Sequence, residues 1–424
     1  MADTIADGTI VGGTGESWLL IRGARIFDGE AVRESGSVLA RGGRIVEAGS
    51  TTFEPPGAEL VDGRGRTVLP GLIDCHVHAL PGSLEQALAY GVTTMLDMFN
   101  VPEVIPELQA LAMARADVAD VRSAVVGATA PGGHPTQLLK KMGAPDFPTL
   151  SGPREADRFV GAQVANGADY IKIVIEDGAG FGLKMPCLSA ESVRALVEAA
   201  HRRGKLAVAH AMTRAAFEAA VESGVDGLGH VFIDREPGPD LGARAWAAGV
   251  FVVPTLSVLE AATGASGSAE LADDPRLSAY LDPNWRAMLG WGSHDFYGHP
   301  EPPPRLEHAV LTTRLMHAAG VPILAGTDAP LRTAYGLSMH RELALLVGAG
   351  LSPTEALVAA TAAPARCFGL ADRGRIAPGL RADLLMVDGD PTRDVTATRA
   401  IVGVWRGGAP LDREAYRRRV SGAG

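Results

Sequence analysis

Gly71-Leu72-Ile73-Asp74-Cys75-His76-Val77-His78 is an apolar run that ends in two histidines one residue apart. On an extended strand, side chains at i and i+2 leave on the same face. His76 and His78 therefore present their imidazoles side by side. Two neutral imidazoles converging on one point are half of a divalent-metal site. A bare His-x-His also arises by chance, with one ring a satisfied core residue. The pattern around it decides between the two.

Outward from this run, short apolar segments alternate with longer Ala/Leu/Glu/Arg stretches at helical spacing. The expected strands are Val68–His78, Thr93–Phe99, Val121–Ala130, Tyr170–Ile175, Leu206–Ala211, Gly227–Phe232, Phe251–Val258 and Val321–Asp328. Helical patterns lie between them, as at Ser189–Arg203 and Thr213–Ser223, with Gly204 and Gly224 as stop signals. Such alternation predicts an α/β fold, a (β/α)8 TIM barrel over residues 69–375. Residues 18–68 read as short strands with a hairpin signal at Arg41-Gly42-Gly43. The strand pattern returns after residue 376, at Ala382–Val387 and Ile401–Trp405. Residues 18–68 and 376–424 are thus expected to form one β-sandwich domain from both chain ends, after a flexible leader at 1–17. The interval 263–305 carries Trp285, Trp291, Phe296, Tyr297 and Pro302-Pro303-Pro304 and is expected to be a lid or specificity loop.

Composition removes several function classes. The 424 residues carry a net charge of −10, which argues against nucleic acid or an anionic membrane as partner. No run of 18 apolar residues exists to span a bilayer, and the first residues lack a secretory pattern. Three widely spaced cysteines, Cys75, Cys187 and Cys367, point to a reduced, cytoplasmic protein without a disulfide framework.

Placed on the strand map, His76, His78, Lys172, His210, His230 and Asp328 sit in or end strands one, four, five, six and eight. All face the mouth where barrel enzymes keep their sites. Lys172 is the oddity, because an ammonium in an apolar strand needs water or a partner. Desolvation lowers its pKa and frees the amine. A free amine can add carbon dioxide to give a carbamate, an anion able to bridge two cations. A lysine snorkelling or pairing with Glu176 or Asp177 is the plainer alternative; the company of four histidines and an aspartate tips the balance.

Pro70–His78, Tyr170-Ile171-Lys172-Ile173, Ala207-Val208-Ala209-His210-Ala211, Gly326-Thr327-Asp328-Ala329-Pro330 and Gly374–Leu384 together resemble the amidohydrolase superfamily. Within it, the likeness is to the imidazolonepropionase-related branch with its prolidase-like and ochratoxin-type amidases. The resemblance implies that His76, His78 and Asp328 bind one divalent ion and His210 and His230 a second. Carboxylated Lys172, which draws on CO2, and a hydroxide would bridge them. Zn2+ is expected, with Mn2+ or Co2+ as substitutes. Asp328 would take a proton from the nucleophile and pass it to the leaving amine. Gly229 stands before His230 where relatives often have Glu.

His134, in Pro131-Gly132-Gly133-His134-Pro135, is a candidate catalytic and substrate-contacting histidine; Arg332 and Tyr335 are candidate partners for a substrate carboxylate. The expected activity is cleavage of an amide C–N bond in a small peptide-like, N-acyl amino acid or modified-peptide substrate from secondary metabolism. Competing readings are a cyclic amide or imide hydrolase, a one-metal deaminase, and a non-catalytic scaffold. The deaminase lacks support because Ala211, Met212 and Thr213, not Glu, follow His210. The scaffold lacks it because all six ligands are kept. The resemblance leaves room for a homo-oligomer.

Overall fold

The histidine-bearing run divides at Gly71. Arg66–Pro70 is a strand of one sheet and Leu72–Val77 a strand of another. A Cβ at Gly71 would lie 2.3 Å from the Thr93 hydroxyl, so only glycine fits where the chain changes layer. The single strand Val68–His78 is thereby corrected to two. The computed structural model describes residues 17–141, 143, 145–265, 267–290, 301 and 303–422.

Leu72–Val77, Val92–Asp97 and Asp120–Ser123 form a parallel arc. Ile171–Val174, Ala207–His210, Gly227–Gly229 and Phe251–Val253 form a second. Isolated parallel bridges join their ends: Ala128 with Ile173 on one side, Val252 with Ile323 and Val77 with Ala329 on the other. Every barrel strand but Asp120–Ser123, where Asp120 and Arg122 are half-buried, is buried along its length, as expected for parallel strands covered by helices. The architecture is TIM-barrel-like α/β. The eighth segment is represented by the bridges at Ile323 and Ala329 alone. The seventh ends at Val253, because Thr255 adopts φ +51° and helix Leu256–Ala262 begins.

Local sequence explains the helices. The side chains of Ser189 and Thr213 accept N–H groups of Ser192 and Ala216, capping helices Ala190–His201 and Arg214–Glu222. Gly204 and Gly224 end them at φ +65° and +81°, where a Cβ would be strained.

Strands from residues 18–70 and 384–410 form one eight-stranded sheet, in which Leu384–Asp388 pairs antiparallel with Arg66–Pro70. Hydrogen bonding links all eight strands, so the composite domain expected from both chain ends is one continuous sheet. The sheet forks at Gly23, where the neighbour of Trp18–Phe27 changes from Glu59–Asp62 to Arg66–Pro70. One face packs Ile21, Ile26, Val38, Leu384 and Trp405 into a core of its own. The other sends Phe27, Leu69, Leu385 and Val404 into the barrel core. At the seam Arg373, Arg381 and Arg406 gather around Asp120.

Two expectations are revised. Helix Arg413–Val420 leaves the sheet and docks on the barrel side, where Tyr416 donates to Gln86 at 2.7 Å. The stretch 263–305 is not an open loop where described: it folds into Gly267–Leu271, Ser278–Tyr280 and Pro283–Leu289. Its Trp285 packs edge-on against Tyr335, with ring centres 4.8 Å apart. Trp291, His294, Phe296, Tyr297, His299 and Pro302 lie outside the described residues. No helix among the described residues is long and apolar enough to cross a membrane.

Candidate active site

Five strand ends bring the six predicted residues to one cavity of about 290 Å³, lined by His76, His78, Lys172, His210, His230 and Asp328. His76 lies within its strand and His78 one residue beyond, as the two-residue period requires. Asp328 Oδ1 sits 3.3 Å from His76 Nε2 and 3.1 Å from His78 Nε2. Donor atoms of His76, His230 and Asp328 lie within 4.8 Å of one another. The ring centres of His230 are 4.5 Å from His76 and 4.7 Å from His210.

Hydrogen bonds behind the rings fix which nitrogen faces inward. Phe99's carbonyl accepts from His78 Nδ1 at 3.1 Å. Thr255 donates its hydroxyl proton to the Pro254 carbonyl, so it accepts from His230 Nδ1–H at 2.7 Å. His230 therefore keeps Nε2 as a lone pair directed at the site, while His78 turns its Nε2 to Asp328 Oδ1. Burial, with Lys172 close by, holds His76 well below the usual imidazole range, and burial takes His210 down to about 3. His230 and His134 are likewise held neutral, chiefly by burial. His78 goes the other way: burial opposes its charge, but the hydrogen bond and charge of Asp328 outweigh it.

Lys172 is 2% exposed, with Nζ 3.5 Å from His76 Nε2. Burial brings its amine down to about 7. A substantial fraction is therefore the free base at neutral pH. His210 Nε2 is buried with no hydrogen-bond partner among the described residues. Neutral imidazoles with inward lone pairs, a carboxylate, a free amine and an orphaned ring nitrogen are the donor set a divalent cation takes.

Four residues at strand ends hold positive φ without being glycine: Val125 at +57°, His230 at +84°, Thr255 at +51° and Asp328 at +57°. Each such conformation costs of order 1–3 kcal/mol and is held by its surroundings. Asp74 supplies part of that hold. Its buried carboxylate accepts Thr327's N–H at 3.0 Å and hydroxyl at 2.7 Å, and His76's N–H at 3.2 Å. It ties the first strand to the eighth beneath the histidines. Burial raises its carboxyl to about 7.

The model of the amidohydrolase family matches residues 67–412. The chain belongs to the amidohydrolase family. Ochratoxinase from Aspergillus niger is 28% identical over 277 residues, which cover 63% of this chain and 51% of that protein. The match thus spans about half of the relative's length. Imidazolonepropionase from Cereibacter sphaeroides is 26% identical over 437 residues, covering 92% of this chain and 96% of that one. Among solved structures, a Xaa-Pro dipeptidase with bound methionine aligns at TM-score 0.74 and 23% identity, covering 93% of this chain and 100% of the other. A putative prolidase from Bifidobacterium longum aligns at TM-score 0.72 and 25% identity, covering 96% and 99%.

Against the family pattern, Gly229 has a local cause. A Cβ there would lie 2.7 Å from His76 Cε1 and 2.8 Å from Lys172 Nζ. The imidazole and the amine fill the space that a side chain would need.

The outer candidates separate. His134 lines the cavity, with its ring stacked on His210 at 4.9 Å. Gln137 donates to its Nδ1 at 2.9 Å, which leaves Nε2 as the protonated nitrogen. Arg332 and Tyr335, expected as carboxylate partners, do not line the cavity. Arg332 donates to the Ala261 carbonyl, and fully buried Tyr335 donates to the His78 carbonyl. Tyr335 thus supports the histidine strand from behind. His340 is buried between Tyr90's carbonyl and Thr398, and His201 pairs with Asp226 at 2.8 Å.

Thr255 and Asn100 were not singled out in the sequence, and Glu176 was named only as a possible partner of Lys172. Glu176 Oε2 lies 3.7 Å from His210 Nε2, and burial lifts its carboxyl to about 7. Its place immediately after the Lys172 strand was the available signal. The cavity mouth is walled by 99–104 and by helix Thr136–Lys141, rather than by the described part of 263–305.

Proposed function

We propose that this chain hydrolyses an amide C–N bond, with two divalent cations held by His76, His78, Lys172, His210, His230 and Asp328. The observation that carries the reading is Lys172, a sequestered amine 3.5 Å from His76 Nε2 inside a ring of neutral imidazoles. As an ammonium it would repel a cation. As a carbamate, made by an N–C bond to CO2 with loss of one proton, it would offer two anionic oxygens.

Zinc suits the donor set, with manganese or cobalt as substitutes; such cations supply Lewis acidity and lower the pKa of water. The chain's own groups do the rest. Asp328, partly open to the cavity, accepts the proton of the attacking water and returns it to the departing nitrogen. His134 donates from Nε2 toward the substrate carbonyl oxygen and orients it. The apolar walls limit water around the reacting bond. Glu176 lies outside the cavity lining and makes no hydrogen bond to His210, so it does not replace the Glu of a deaminase.

The test is metal analysis of active protein beside a panel of N-acyl amino acids, dipeptides, cyclic imides and lactones. Two equivalents and turnover of amides are expected. Activity with no more than one equivalent would overturn the two-cation reading, and turnover of lactones alone would overturn the amide reading.

A further inference from the structure

We propose, resting on the amide-hydrolase reading above, that the substrate carries no carboxylate: the cavity takes a neutral amide with apolar groups on both sides of the bond. Beyond the histidines, Lys172 and Asp328, the walls are apolar, with Phe99, Val104, Leu138, Leu139, Met212 and Leu331 among them. The remaining polar side chain is Asn100. Its amide donates to the Ala79 carbonyl at 2.6 Å and to Asp97 at 3.1 Å, and its oxygen accepts Val101's N–H at 2.9 Å. That amide holds the loop together and faces no ligand.

Among the described residues, the walls carry no fixed cation. Lys172, the single Lys or Arg among the lining residues, is buried on the floor between imidazoles. Arg332, following Asp328, turns its guanidinium to the Ala261 carbonyl. On the helix that walls the mouth, Lys140 and Lys141 take the exposed side while Leu138 and Leu139 line the cavity.

A carboxylate set against these walls, away from the metal-binding groups and His134, would lose its water and gain no partner, which is strongly unfavourable. Apolar groups in the same place gain from burial. The volume of about 290 Å³ lies at the small end for ligand sites, which suits a compact molecule and not a long peptide.

The experiment compares matched compounds on the full-length protein: N-acetyl-phenylalanine, its carboxamide, and N-acetyl-phenethylamine. Both kcat/KM on metal-loaded protein and calorimetric affinity on the protein as isolated are read. The neutral pair is expected to exceed the carboxylate by roughly 100-fold or more in kcat/KM, the scale at which an apolar pocket rejects an added polar group. Leu139→Arg, which sets a cation in the wall, should narrow that ratio about tenfold or more. Equal or better turnover of N-acetyl-phenylalanine would overturn the inference while leaving amide hydrolysis standing. If no compound is cleaved, the hydrolase reading fails for this class, and calorimetry decides the inference. Tighter binding of the neutral pair then upholds it, and equal or tighter binding of the carboxylate overturns it.

Discussion

Gly229→Ala is the sharpest test of the site. The added Cβ would stand 2.7 Å from His76 Cε1 and 2.8 Å from both His76 Nδ1 and Lys172 Nζ. Carbon atoms rest about 3.5–4.0 Å apart, so the overlap is roughly 0.8 Å or more. His76 is 1% exposed and held by a parallel strand, so it has no room to retreat. Overpacking of this kind costs about 1–3 kcal/mol. The functional loss should be larger in proportion, since a shift near 1 Å in a reacting group costs about 10²-fold in rate. Urea unfolding, metal content by mass spectrometry and kcat on the best amide substrate give the readouts. Gly348→Ala is the control: nothing lies within 4 Å of its Cβ, and it ends helix Leu337–Gly348. That variant should match the parent or gain up to about 1 kcal/mol. A Gly229→Ala protein with the parental urea midpoint, metal content and kcat would refute the packing of Lys172 and His76 described above.

Lys172→Ala should lose one metal equivalent and most activity, with partial rescue by a short carboxylic acid; full activity without rescue would remove the lysine from the mechanism. Thr255→Val takes away the acceptor of His230 Nδ1–H and should weaken metal affinity about 10–100-fold in chelator competition, with Thr255→Ser restoring it. Tyr335→Phe removes the hydroxyl that donates to the His78 carbonyl and should lower stability by about 1 kcal/mol while leaving KM unchanged. A raised KM would return Tyr335 to the substrate. Burial lifts Glu342 to about 8, against an ordinary value near 4.5, although its carboxyl accepts the N–H groups of Leu256 and Ser257. A carboxyl whose folded pKa is raised contributes most below about 4.5, and that contribution is lost as pH rises toward 8. Urea midpoints should therefore fall across that window in the parent and fall less in Glu342→Gln.

The metal-type residues were legible because each lies in or ends an apolar strand, and strand periodicity says where its side chain points. His76 and His78 needed only the period of two. Lys172 announced itself by being charged inside such a run. The supporting residues were not legible, since Asp74 meets Thr327 and Thr255 meets His230 only after the ring of strands has formed. Strand lengths were overread at both ends of the barrel. Pro70-Gly71 hid a change of sheet, and Phe251–Val258 continues its apolar character straight into a helix. The stretch 263–305 looked like a lid because of its aromatic content, but Trp285 is used in packing against Tyr335. Among the described residues the wall of the mouth comes from 99–104 and Thr136–Lys141, whose two leucines carry no distinctive pattern.

The partnership of Leu384 with Pro70 has a bearing on how the molecule is made. During synthesis the early strands emerge with one edge bare and wait for partners encoded far downstream. At roughly 5–20 residues per second, that interval is on the order of tens of seconds. Through it Phe27 and Leu69, which end up against the barrel, have nothing to rest on. A ribosome stalled before Leu384 would leave Arg66–Pro70 with that edge unpaired and open to another chain.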